Sequence, residues 1–224
     1  MIPARRSDTW IPSLLVALSL VPVVAGGARL AGLASRTLEP DDIRFLASPT
    51  PVVIHVVAAS LYALLGAFQF STSVRLRWPR WHHRAGAVVL SCGVLVASTG
   101  LWMTAVYPIP PSLQGPSLYW SRLLVGLAML VALASAVVAI QQRQLARHEA
   151  WMIRAYALAQ GAGTQAILFL PVMLVSGPLF GLKRDLLMIT AWLLNLAMGE
   201  AIIRRRPSST EHKLGVVSRS RAAE

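Results

Sequence analysis

The sequence predicts an all-α fold, a polytopic membrane bundle of six transmembrane helices. Three observations carry that prediction. Hydrophobic residues fill 55% of the 224 positions and charged residues only 13%, about half the charge of a water-soluble chain. Six apolar stretches approach the roughly 20 residues needed to cross a hydrocarbon core. The 21 Arg and Lys residues punctuate those stretches instead of gathering on a polar domain with interleaved aromatics, so the net charge of +12 speaks of membrane topology and no nucleic-acid partner is expected.

The spans are expected near 11–33, 50–71, 85–107, 117–140, 151–176 and 186–203, within one domain over residues 1–206. The first follows Arg5 and Arg6 and ends in small residues, as a cleaved signal peptide would. Its apolar core from Ile11 to Ala28 exceeds the usual core of such peptides, roughly 7–15 residues, so a retained helix is expected. Pro12, Pro22 and Pro171 should kink helices or sit near their starts. Gly161-Ala162-Gly163 reads as a place where helices approach closely. Neither an inverted repeat nor a discontinuous helix is evident. Residues 207–224, rich in Ser and Arg, read as a disordered cytoplasmic tail.

Positive residues beside short loops stay in the cytoplasm. With both termini inside, the cytoplasmic segments hold Arg5 and Arg6, then Arg75, Arg77, Arg80 and Arg84, then Arg143, Arg147 and Arg154, then Arg204 to Arg206, Lys213, Arg219 and Arg221. The outer face holds Arg29, Arg36, Arg44, Lys183 and Arg184, and Glu39, Asp41 and Asp42 offset the first three. Trp10, Trp78, Trp81 and Trp151 fall at inner boundaries, and Tyr107, Tyr119 and Trp120 at outer ones, where amphipathic rings sit. The near absence of Lys beside abundant Arg suggests a GC-rich bacterial gene, and so a bacterial inner membrane.

Polar groups that lipid would otherwise exclude are where function is sought. On the outer side, His55 lies about one turn inside the second span, and Arg122 at a similar depth in the fourth. On the inner side stand Gln69, His82, His83, Arg84, His148, Arg154, Asn195 and Glu200. Counting inward, Arg154 and Glu200 lie at nearly equal depth and form a candidate ion pair. Gln160 and Asn195 match each other near mid-membrane. Arg75, Arg77, Arg84, Arg147 and Arg154 crowd two histidines on the inner face, a density suited to an anionic lipid headgroup or a small anion.

The most distinctive runs are Gly66-Ala67-Phe68-Gln69-Phe70, His82-His83-Arg84-Ala85-Gly86 and Arg147-His148-Glu149-Ala150-Trp151-Met152-Ile153-Arg154-Ala155-Tyr156. With Asn195 and Glu200, they resemble a bacterial family of predicted membrane proteins known only as a domain of unknown function, the 2306 type. The resemblance runs from about His55 to Glu200. That family is distantly similar to transmembrane cytochromes b, and the kinship implies haem b as a cofactor, with His83 and His148 as its ligands. A bis-histidine site needs two imidazoles on different helices at one depth. These two share a depth but stand beside arginines at the water boundary, and His55 has no histidine to match it.

Other chemistry is largely set aside. His148-Glu149 lacks the second histidine of a zinc-protease helix, and no phosphate-cradling glycine motif occurs. Cys92 is the only cysteine, so neither a disulfide nor a cysteine metal site forms within the chain. No serine stands in a nucleophile motif and the loops are short, so an enzyme is not expected. The leading expectation is a membrane protein binding an anion or anionic lipid through the inner cluster. Haem electron transfer comes next, then a small transporter gated by His55 and Arg122.

Overall fold

The computed structural model describes residues 10–38 and 40–205. The expected tail at 207–224, together with Arg5, Arg6, Glu39 and Arg206, lies outside the described residues. Among those described there are eight α-helices, one 3-10 helix and no strand. The helices are α1 (Trp10–Ser35), α2 (Pro49–Gln69), α3 (Thr72–Arg77), α4 (Pro79–Val106), α5 (Pro116–Gln141), α6 (Leu145–Ala159), α7 (Gly161–Ser176) and α8 (Gly181–Arg204); the 3-10 turn is Pro40–Phe45. Six spans are long and apolar enough to cross a membrane, the fifth being α6 and α7 together, Leu145–Ser176.

Proline opens α2, α4 and α5, where its missing N–H costs nothing and its fixed φ suits a first turn. The third span therefore begins at Pro79 instead of near 85, and takes His82, His83 and Arg84 into its first turns. A window that follows hydropathy stops at such polar turns, although the backbone does not. For the same reason the fifth span begins at Leu145. The short α3 is capped by the Ser71 hydroxyl, which accepts from Val74 N at 3.3 Å. The turn from α5 to α6 closes with Gln144 N donating to Ala139 O at 2.8 Å and Arg143 N to Ile140 O at 3.0 Å. Arg143 takes φ 58° there, the left-handed residue that ends many helices.

The spans form a ring in which α2 packs on α1 and α4, α4 on α5, α5 on α6, and α8 on α6 and α7, with α7 closing back on α1. Between lipid-solvated helices, close backbone approach is the main source of attraction, and glycine supplies it. Gly93 receives the Tyr62 ring and Leu133, and Gly163 lies against the Leu18 carbonyl. Both described chain ends, α3 and the Gln142–Gln144 turn occupy one end of the bundle, the terminal end. The connections at 36–48, 107–115 and 177–180 form the opposite, loop end.

The fifth span is interrupted at Gln160. Its φ and ψ are −67° and −7°, yet Gln160 N still reaches Tyr156 O at 2.9 Å and Thr164 N reaches Gln160 O at 3.1 Å. The helix is broken there by a single turn residue, and these two bonds are retained on either side of the break. Gly161 sits directly beneath the Trp192 ring of α8. With α1 pressing on Gly163 from the other side, the two close approaches fall at the glycine pair that follows the break.

Candidate functional site

A cavity of about 340 Å³ lies between the spans at the loop end. Arg29 of α1, Arg44 and Phe45 of the 3-10 turn, His55 of α2, Thr104 of α4 and Arg122 of α5 line its polar parts. Val52, Val96, Met103, Val125 and Met129 line its apolar walls. Leu158, Ala159, Ala162, Gln165 and Trp192 form the deep side, so the cavity reaches the interruption at Gln160. Sequence depth alone placed His55 and Arg122 at similar levels, and the structure brings them to one space.

The charges there are unequal. Arg29 Nε donates to Asp42 Oδ2 at 2.8 Å, and Arg44 Nη2 lies 4.0 Å from Asp42 Oδ1. Both guanidiniums cover the Phe45 ring, at 5.5 and 4.7 Å from its centre, a cation–π arrangement that holds them at the cavity wall. Phe45 is fixed edge-on against Tyr107 at 5.0 Å, and the Tyr107 hydroxyl donates to Ser48 O at 2.5 Å. Arg122 donates to the side-chain oxygen of Gln114. Arg29 and Arg44 thus meet a carboxylate, whereas Arg122 brings its positive charge to the cavity against a neutral amide.

Sequence reasoning missed Arg29, Arg44, Gln165 and Trp192, because arginines in a loop read as topology signals and an apolar run hides a Trp. It also missed Asp185, which is 1% exposed. Its carboxylate accepts from Gly115 N and Leu118 N, both at 3.3 Å, and from Ser117 Oγ at 2.7 Å. Asp185 therefore caps α5 from another helix and holds the turn that carries Arg122. An acidic residue opening an apolar run was the available signal.

The terminal end is differently organised. Arg154 meets Glu200 through two bonds, Nε to Oε1 at 2.5 Å and Nη2 to Oε2 at 3.1 Å, while its guanidinium lies 4.5 Å from the Trp151 ring centre. Arg75 Nη1 lies 3.8 Å from Glu149 Oε1, and Arg147 donates to Gln144 at 3.2 Å. Arg77 covers Trp78 at 5.5 Å, and Arg84 is exposed. Two of the five arginines of the inner cluster are thus answered by carboxylates of the same bundle.

The runs that carry the family resemblance meet around Tyr156. Its ring packs on Gly66 and lies 4.9 Å from Phe70, and its hydroxyl donates to Ala63 O at 2.7 Å. Gln69 faces Gly86, with its Nε2 buried and unpartnered. Gln160 and Asn195 take different partners. Gln160 Nε2 donates to Ser19 Oγ at 3.0 Å and to the Tyr156 hydroxyl at 2.8 Å, whereas Asn195 Oδ1 accepts from Thr164 at 3.0 Å.

The histidines do not fit a haem. His148 Nδ1 is bonded to Ala136 O at 2.9 Å, and that bond would leave Nε2 for a metal. His83, however, is exposed among Arg80 and Arg84, with its ring against His82 at 5.9 Å. An exposed imidazole cannot wall the dry pocket that tunes a bound haem. Among the described residues no group of three or more His, Cys, Asp or Glu side chains could hold a metal ion.

A family model described as a predicted membrane protein of unknown function matches residues 52–203, a stretch that runs from α2 to the end of α8. No curated protein and no solved structure matches the chain.

Proposed function

We propose a function for a chain that belongs to the DUF2306 family of predicted membrane proteins: it binds a small organic anion in the loop-end cavity. One observation carries this reading, the convergence of Arg29, Arg44 and Arg122 on a largely apolar space in which Arg122 is met by the neutral amide of Gln114 and, among the described residues, by no carboxylate at ion-pair distance. Away from bulk water an unbalanced guanidinium is costly, and an anion that enters relieves the imbalance. The apolar walls then bury the body of the ligand. A volume of about 340 Å³ stands at the low end of small-molecule sites, roughly 300–1,000 Å³, which suits a compact acid.

The anion site expected at the inner cluster thus moves to the other end of the bundle, because Glu149 and Glu200 already answer Arg75 and Arg154. Among the described residues, nine basic residues toward the terminal end against five toward the loop end support a cytoplasmic terminal end. The cavity would then face the outer side of a bacterial inner membrane. A helix interrupted on the deep side of a binding cavity is a feature of carriers, and it favours transport over static binding.

The test is calorimetric titration of the protein in zwitterionic nanodiscs with octanoate and with uncharged octanol. Octanoate should bind at the protein and octanol should only partition into lipid. Arg122→Gln should weaken octanoate about tenfold or more, as expected for a charge-assisted bond. Equal behaviour of acid and alcohol, or an unaltered Arg122→Gln variant, rejects the reading.

A second reading rests on Arg77, Arg84 and Arg147, which lie exposed at the end of the bundle that also exposes the indoles of Trp78 and Trp81. They would hold anionic headgroups of the inner leaflet. Lipid extracted from gently purified protein should be enriched in anionic species, and less so after substitution of the three arginines by Gln. Unchanged enrichment in that variant would remove this reading.

A further inference from the structure

The cavity is divided in its hydrogen-bonding character. Its charged side chains, Arg29, Arg44 and Arg122, can only donate. Of its neutral polar side chains, Thr104 has its single proton committed elsewhere, and Gln165 has one of its two amide protons so committed. Thr104 Oγ1 donates to Gly100 O at 2.8 Å, and Gln165 Nε2 donates to Met188 O at 3.3 Å. A threonine oxygen and an amide oxygen are thereby left as acceptors.

His55 follows the same rule through its tautomer. Its Nδ1 lies 3.0 Å from Thr99 Oγ1. That hydroxyl has one proton, and the only other groups it contacts are the carbonyls of Leu95 at 2.5 Å and Val96 at 3.2 Å, which accept and cannot donate. The Thr99 oxygen therefore faces the imidazole as an acceptor, and Nδ1 carries the hydrogen. With Nδ1 protonated, Nε2 keeps a lone pair, on a side chain that lines the cavity.

We infer that the ligand is a hydroxylated organic acid, whose carboxylate meets the arginines and whose hydroxyl donates to the acceptors formed by His55 Nε2, Thr104 Oγ1 and Gln165 Oε1. The inference rests on the anion-binding reading and narrows its ligand class. A plain apolar acid would leave buried acceptors unanswered, a loss that a hydroxyl repairs. A dianion without donors would satisfy the arginines and no more.

The test compares octanoate with its mid-chain and terminal hydroxy derivatives, titrated into the wild type in zwitterionic nanodiscs. At least one hydroxy acid should bind about tenfold more tightly than octanoate. The double variant His55→Phe/Thr104→Val should bring that ratio to about one. Thr99→Val, which removes the lock on the tautomer and leaves the imidazole in place, should reduce the ratio without affecting the fold, as judged by an unchanged gel-filtration profile. Octanoate binding without any hydroxyl preference, or a preference that survives the double variant, overturns the inference and leaves the anion site standing. Failure of every acid to bind removes the anion site, and this inference with it.

Discussion

Arg154 illustrates how a single charge is accommodated inside an apolar ring of helices. Its guanidinium is answered twice by Glu200 and once by the face of Trp151, and planar bidentate geometry of this kind is the strongest form of ion pairing. The two side chains remain 28% and 34% exposed. That places the pair between exposed bridges, worth about 0–1 kcal/mol, and buried ones, whose disruption costs about 3–5 kcal/mol. Glu200→Ala should therefore lower stability by about 1–3 kcal/mol, read as a lower melting temperature in fluorescence-detected gel filtration. The exchange Arg154→Glu/Glu200→Arg should recover part of the loss but not all, since it removes the cation from Trp151. An exchange no better than the single variant would deny that the pair acts directly. This contact was legible in the sequence, because counting residues inward from two helix ends fixes depth. The fan of bonds around Tyr156 was not legible, because rotation of each helix about its axis is set by packing and leaves no mark in hydropathy.

Helix ends, more than helix interiors, organise the cavity. Residues 107–115 lead into α5 with neither a side-chain cap of their own nor an acidic first turn, and Asp185 of α8 supplies what is missing. Its substitution by Ala would leave Gly115 N, Leu118 N and the Ser117 hydroxyl without their acceptor. A lost cap costs about 0.5–2 kcal/mol, and unsatisfied buried donors add to that, so Asp185→Ala should destabilise the protein by about 2 kcal/mol or more and weaken octanoate binding through misplacement of Arg122. Asp185→Asn, which keeps one acceptor oxygen, should lie between. An alanine variant with wild-type melting and binding would show that α5 needs no cap. The six spans themselves were plain from apolar run length. The interruption at Gln160 was not, since no proline marks it and the hydropathy of the fifth span is continuous; it stands where Trp192 and Leu18, distant in sequence, meet two glycines.

Sidedness decides what the cavity can serve, because the same pocket samples external solutes in one orientation and cytoplasmic ones in the other. The partition of basic residues rests on a general rule about retention of positive loops, and here it has a complication: the loop end is also cationic, with Arg29, Arg44, Arg122 and Arg184 drawn toward it. Those arginines face partners within the bundle, Asp42, Phe45 and Gln114 and, for Arg184, the Phe169 ring at 5.8 Å. Those at the terminal end, Arg77, Arg80, Arg84 and Arg205, stand exposed, as retention signals should. The molecule offers a clean measurement, since its single cysteine, Cys92, is buried. Cysteines introduced at exposed Ser112 and Gln142, one at each end, can be labelled with a membrane-impermeant maleimide. Ser112→Cys should react in intact spheroplasts and Gln142→Cys only after permeabilisation. The reverse pattern would turn the cavity toward the cytoplasm, where the hydroxylated acid it is built to hold would have to be an internal metabolite instead of an external one.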